Sequence, residues 1–133
     1  RVPLPWSGDR APFGFTSGTP WLPMQDGWKE LTVEKQLSEP KSSLNLYRNA
    51  LNLRAEHLVN NAEIEWLESP LHGSKSPSLL AYRRGNVSVY MNLGESLVEV
   101  EITGKVLIVS AGTPDGRDGK ITIPAISTLW VQH

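Results

Sequence analysis

The 133-residue chain contains no cysteine. That absence excludes a disulfide framework, a thiolate nucleophile and a thiolate zinc site. An excess of charge is missing too: 13 Lys and Arg face 14 Asp and Glu, for a net charge of −1. A surface so balanced gives no reason to expect nucleic acid or an anionic membrane as a partner. The three histidines, His57, His72 and His133, are scattered without the spacing of metal ligands. No metal and no cofactor is therefore expected. No apolar run approaches membrane-spanning length, and no signal peptide opens the chain. A cytoplasmic location is the expectation that follows. No methionine precedes Arg1, so the chain is expected to be processed or excerpted from a longer one. Its length fits one domain and admits two small units.

What is present is unevenly distributed. Residues 1–40 hold Trp6, Trp21, Trp28, Phe13, Phe15 and six of the ten prolines. Prolines at 3, 5, 12, 20 and 23 each remove a backbone donor and fix φ, so residues 1–27 read as loop. A free loop of that length is unusual in a compact domain. Disordered tails are poor in aromatics, and this segment is rich in them, so it is expected to pack onto something. LTVEKQL, residues 31–37, reads as a short helix or strand, and Pro40 ends it.

Ser42 or Ser43 then caps a helix running to about residue 58. At about 100° per residue, Leu44, Tyr47, Leu51, Ala55 and Leu58 share one side. Leu46, Ala50 and Leu53 widen the apolar arc, leaving a narrow polar strip of Asn45, Arg48, Asn49, Asn52 and Glu56. Such a helix needs cover on two sides, and only one partner is evident in the chain. Arg54 lies near the middle of the arc; it either snorkels or pairs with an acid from outside this chain.

From Ala62 the hydrophobic period becomes two. AEIEWLE sets Ile64 and Trp66 against charged neighbours, with Leu67 breaking the alternation. SLLAYRR and NVSVYMNL flank Gly85-Asn86, a hairpin turn pair. Val98, Val100 and Ile102 face one way and Glu99, Glu101 and Thr103 the other. Gly104-Lys105 turns into VLIVSAG, TPDGRDG reads as a second turn cluster, and KITIPAISTLWVQ supplies the last strands. Ile121, Ile123, Leu129 and Val131 are expected inside, with Trp130 on the other face as a partly covered edge or interface residue. Short strands with tight turns predict an antiparallel sandwich, so the expected fold is mainly β, preceded by an irregular loop and one long helix.

No complete catalytic set emerges. The segment from Asp115 to Asp118 has too few oxygen ligands for a calcium loop, and its Asp-Gly pairs suit a β-turn. Asn86-Val87-Ser88 fits a glycosylation sequon, but the turn reading is favoured without a secretory context. Glu99 and Glu101 share one strand face, whereas glycoside hydrolysis needs carboxylates opposed across a sugar. They read as solvated charges that discourage edge pairing. No Ser/His/Asp arrangement stands out.

The ordered string of features resembles one family. RVPLPW resembles the R-x-P-M-x-W segment of the α-glucosidase and oligo-1,6-glucosidase branch of glycoside hydrolase family 13, the α-amylase family. Phe13-Gly14-Phe15, Pro20-Trp21-Leu22-Pro23, Val33-Glu34 with Gln36, Pro40 with Ser42, Leu46-Tyr47-Arg48 and Leu53-Arg54 follow in the family's order. The closing Ile-Pro-Ala-x-Ser-Thr-Leu-Trp-Val resembles the end of its C-terminal domain. The resemblance implies a (β/α)8 barrel with its active site at the C-terminal ends of the strands, followed by a β-sandwich. Residues 1–60 would then be the barrel's tail, an active-site loop and the last barrel helix. Residues 61–133 would be the C-terminal domain, and the missing barrel the chain's main partner.

The family's catalytic carboxylates map onto no position here. The implied parent reaction is retaining hydrolysis of α-glucosidic bonds in short oligosaccharides, with this chain inactive alone. The resemblance carries one substrate-binding residue, Arg1, which matches the arginine contacting glucose in the −1 subsite. Leu4 and Pro5 depart from the family's methionine and common glutamine, and any polar contact of that glutamine is lost. Two other readings compete: a carbohydrate-binding module with Trp66 and Trp130 as platform, and an unrelated interaction domain. The stripe of Leu44, Tyr47 and Leu51 is expected to make the isolated chain self-associate.

Overall fold

A computed structural model describes residues 2–59, 63–67, 78–117 and 119–133. The chain forms two compact units, residues 1–49 and 50–133.

The first unit is irregular up to a 3-10 helix, Asp26–Leu31, followed by α1, Val33–Ser38, and the start of α2, Ser43–His57. LTVEKQL thus resolves as the end of one helix and most of the next. Thr32 caps α1, its side chain accepting from the Lys35 N–H. Ser42 caps α2: its Oγ accepts from the Asn45 N–H at 3.2 Å and its carbonyl from the Leu46 N–H at 2.9 Å. The N-terminal loop packs in part. Phe13, Pro3 and Pro5 are buried, but Trp21 is 97% exposed and Trp6 about half exposed.

The second unit is an antiparallel sandwich carrying the last turns of α2. Its strands are β1 Glu65–Trp66, β2 Leu79–Arg84, β3 Val87–Asn92, β4 Val98–Glu101, β5 Lys105–Val109, β6 Asp115–Arg117, β7 Lys120–Ile123 and β8 Ser127–Gln132. One sheet has the order β1-β2-β3-β8-β5 and the other β4-β7-β6. Between them lie Ala81, Tyr90, Leu129 and Val131 from the first sheet, against Val100, Ile121 and Ile123 from the second. The four inward residues expected of the last two strands are all there. Val98, Val100 and Ile102 also pack inward, so the alternation of β4 sets its face as read.

The middle strand is covered on both faces. Ser88, Tyr90 and Asn92 of β3 point between the sheets, while Val87, Val89 and Met91 point outward, where Leu58 at the end of α2 packs with Val87 and Val89. The polar inner face is tolerated because its groups find partners: Asn92 Nδ2 donates to the carbonyls of Ser96, Ile123 and Pro124 and its Oδ1 accepts from the Gly94 N–H.

Three local expectations need correction. Asp115 and Gly116 are not a turn but the start of β6, paired with Thr122 and Ile121; the left-handed φ of this hairpin falls at Gly119, at 78°. Among the described residues of AEIEWLE, 63–67, only Glu65–Trp66 forms a strand, Ile64 and Trp66 are exposed, and Leu67 is the residue that packs on the core. Trp130 lies on the other face and is half-buried, as read, but within an inner strand and not at an edge, since β8 lies between β3 and β5. On α2 one side lacks cover within this chain, as its pattern predicts: the stripe that includes Tyr47 and Leu51 is largely exposed, at 69% and 56% for these two, and Arg54 is exposed, whereas Leu46, Ala50 and Leu53 form the half-buried side.

Candidate functional site

Arg1, the sequence-based substrate contact, lies outside the described residues, as do His72 and Asp118. The segment that follows Arg1 is held firmly. The carbonyls of Pro5 and Trp6 accept from the N–H groups of Val33 and Glu34 at 3.0 and 2.9 Å, satisfying donors that the first turn of α1 leaves free. The Glu34 carboxylate accepts from the Gly8 N–H at 2.9 Å, and the Phe13 carbonyl accepts from both Trp6 and Ser7. Phe13 and Gly14 adopt φ of 48° and 69°, and a Cβ on Gly14 would fall 2.7 Å from Ser7 Oγ. A buried Phe with left-handed φ is costly, so the turn is fixed by its packing and by the two bonds its carbonyl accepts. Pro5 thus serves through its carbonyl and its burial. Val2, Leu4 and Trp6, alternating with the buried prolines, present apolar surface to solvent.

The next part of the string is equally structural. Gln36 donates from Nε2 to the Leu31 carbonyl at 2.9 Å and accepts at Oε1 from the Leu44 N–H at 3.2 Å. Ser42 Oγ and Asn45 Nδ2 both donate to the Gln36 carbonyl, at 2.6 and 2.8 Å. Asn45 also reaches the carbonyls of Leu37 and Glu39. The Val-Glu-x-Gln and Pro-x-Ser elements therefore fasten α1 to the start of α2.

In the sandwich, Glu99 and Glu101 stand on the edge strand β4 and do not oppose each other across a cleft. Glu99 accepts from Lys120 Nζ at 2.9 Å, and that bond together with the charge attraction raises the Lys120 pKa. Trp66, Tyr82, Val89, Trp130 and Ile108 form one cross-strand row on the outer face. The Trp66 and Tyr82 rings meet edge-on, 5.8 Å apart at 69°. Trp130 is half-buried in the cluster with Leu58, Val87 and Val89.

Sequence reasoning missed one constellation. Ser88 Oγ and His133 Nε2 share a hydrogen bond of 2.6 Å, and Ser88 also hydrogen-bonds the Tyr90 phenol. The strand register brings these residues together: Ser88 pairs with Val131 in β8, and the His133 N–H donates to the Asn86 carbonyl at 2.9 Å. Nothing in the local sequence signals a contact across 45 positions. Among the described residues no group of three or more His, Asp and Glu could hold a metal ion.

Burial raises the Tyr90 phenol above its ordinary value of about 10, with the Ser88 bond and the Arg83 charge opposing. The unfolded phenol therefore ionises first as pH rises. The stabilisation from Tyr90 is complete below about pH 10 and is lost as pH climbs through that value toward the raised one. Tyr90→Phe is expected to flatten the alkaline fall in stability, read as urea midpoints at a series of pH values. An identical fall in the variant would show that Tyr90 is not its source.

Residues 1–62 match the family described as alpha amylase, catalytic domain. An oligo-1,6-glucosidase of Heyndrickxia coagulans is 35% identical over 105 residues, which cover 76% of this chain and 18% of that protein. An oligo-1,6-glucosidase of Halalkalibacterium halodurans is 32% identical over 90 residues, covering 63% of this chain and 14% of that protein. The trehalulose synthase MutB of Pseudomonas mesoacidophila MX-45 has the same fold over 99% of this chain and 25% of its own, with a TM-score of 0.74 at 22% identity. The chain spans 10–18% of the length of the first curated relatives it matches.

Proposed function

Since this chain belongs to the α-amylase family, glycoside hydrolase family 13, we propose that it is the C-terminal part of an α-glucosidase that hydrolyses α-glucosidic bonds of short oligosaccharides with retention. Residues 1–60 end the catalytic barrel and residues 61–133 form the C-terminal domain. The catalytic carboxylates belong to the barrel, and this chain caps and stabilises it. Arg1, by its match to the family motif, supplies a guanidinium able to donate several fixed hydrogen bonds to sugar hydroxyls.

One observation carries this reading. The residues that give the resemblance, among them Pro5, Trp6, Phe13, Glu34, Gln36 and Ser42, form clasps that hold the loop and helices in one arrangement. In the same unit, Val2, Trp21 and Tyr47 are left at 69% exposure or more. Apolar side chains held out on a fixed framework call for a covering partner, and the barrel is the partner the family supplies. A binding module would need Trp66 and Trp130 as a joint platform; Trp130 is half-buried, which leaves Trp66 as the exposed ring.

The purified chain alone is expected to release no nitrophenol from a nitrophenyl α-glucoside and to self-associate in light scattering. Mixed with a separately produced barrel from an oligo-1,6-glucosidase relative, truncated where this chain begins to align, it is expected to form a stoichiometric complex with restored turnover. Turnover by the chain alone, or a monomeric chain indifferent to the barrel, would overturn the reading.

A further inference from the structure

The sandwich holds a cleft of about 390 Å3 at the end where β3 begins and β8 finishes. That lies near the lower end of the range for small-ligand sites, about 300–1,000 Å3. Its walls come from both sheets. Leu67 and Ile102 supply aliphatic surface, and Arg83, Ser88, Tyr90, Glu101, Thr103 and His133 supply polar groups. Ser88 and Tyr90 are 1% and 4% exposed, so two of the hydroxyls are fixed in the cleft's base.

The polar groups mix donors and acceptors. Three hydroxyls can do either, the imidazole can do either, the guanidinium donates and the carboxylate accepts. They carry no net positive charge. Arg83 is already bound to Glu65, donating from Nη2 at 2.6 Å and from Nε at 3.1 Å, and the Glu101 carboxylate lines the same cleft. An anion would meet no net positive field, and a wholly apolar molecule would strand the polar lining without partners. A small molecule with hydroxyls around its rim and a C–H face for Leu67 and Ile102 meets both demands.

We propose that this cleft binds a neutral polyhydroxylated ligand the size of one monosaccharide, held by Thr103 and His133 over the aliphatic surface of Leu67 and Ile102, with Ser88 positioning the imidazole from the cleft's base. The proposal stands or falls independently of the glucosidase reading. The imidazole is preorganised: the Ser88–His133 bond engages one ring nitrogen, and His133 lines the cleft.

The test is an amide-proton NMR titration of the full chain with glucose and, in parallel, inorganic phosphate. Glucose is expected to shift the amides of Ser88, Thr103, Gly119 and His133 saturably, with a dissociation constant on the order of 1 mM. His133→Ala and Thr103→Val are each expected to weaken binding about tenfold, the size of one lost hydrogen bond. Thr103 is exposed, so its variant decides the matter should His133→Ala lower the thermal midpoint. The proposal is overturned by linear, unsaturable glucose shifts, by shifts confined to Trp66 and Tyr82, by phosphate binding in preference to glucose, or by a Thr103→Val chain that binds as the parent does.

Discussion

Asn92→Leu is expected to lower the unfolding free energy by about 3–5 kcal/mol, a large share of the margin of a small domain. Leucine matches asparagine in length, so the effect comes from hydrogen bonds and not from a cavity. Asn92 is fully buried at the end of β3. Its amide hydrogens are shared among the carbonyls of Ser96, Ile123 and Pro124, at 2.8, 3.3 and 2.9 Å. These carbonyls come from the turn before β4 and from the corner between β7 and β8, so one side chain ties the two sheets together. The losses are unequal. Pro124 keeps the Ser127 hydroxyl at 2.7 Å, and Ser96 is exposed enough for water to replace the bond. The Ile123 carbonyl and the Gly94 N–H bear most of the cost, at about 1–3 kcal/mol each. Asn92→Asp keeps the acceptor for Gly94 but aims a carboxylate at three carbonyls, and should be less stable than the leucine variant at neutral pH. Urea unfolding followed by circular dichroism reads both; a leucine variant within about 0.5 kcal/mol of the parent would refute the tie.

Gly104→Ala is the second large effect, expected at about 3 kcal/mol or more. Gly104 has φ of 135°, a region that essentially only glycine occupies. A Cβ there would fall 2.0 Å from the Gln132 carbonyl oxygen and 2.9 Å from its carbon. Those are backbone atoms of a strand paired on both sides, so they cannot yield without breaking the register of β8 with β3 and β5. Gly8→Ala is the internal comparison. Gly8 also has positive φ, 81°, but a Cβ there meets nothing within 4 Å. Its cost should be the conformational part alone, about 1 kcal/mol. If the two alanine variants melt together, steric exclusion at Gly104 is not what demands glycine.

Legibility in the sequence followed the range of the interactions that decide each element. The β2–β3 hairpin was readable because Gly85 takes φ of 60° in a two-residue turn, a local requirement. The face of β4 was readable because one side of it meets water, which enforces alternation. The face of Trp66 was not, because β1 is two residues long and its face is set by pairing with Tyr82 rather than by its own pattern. Two Asp-Gly pairs stand between residues 115 and 119, and composition cannot say which one turns; the pairing of Gly116 with Ile121 decides it. The N-terminal string was legible as a resemblance before its physics was. Glu34, Gln36, Ser42 and Asn45 bond to groups 3 to 26 positions away, and that spacing carries the motif. The Ser88–His133 contact depends on strand register over 45 residues and left no local mark.

Leu58 has a practical consequence for dividing this protein. It is 6% exposed and covers the outer face of β3 together with half-buried neighbours, where Val87 and Val89 are 0% and 2% exposed. A gene truncated to begin at residue 61, or a protease cutting there, would strip that cover and leave a bare aliphatic seam along the sheet's central strand. Two such pieces would find each other before they found water. The smallest piece worth producing for crystallisation or labelling therefore starts at Ala50, where the compact unit starts, and carries the end of the helix as its lid.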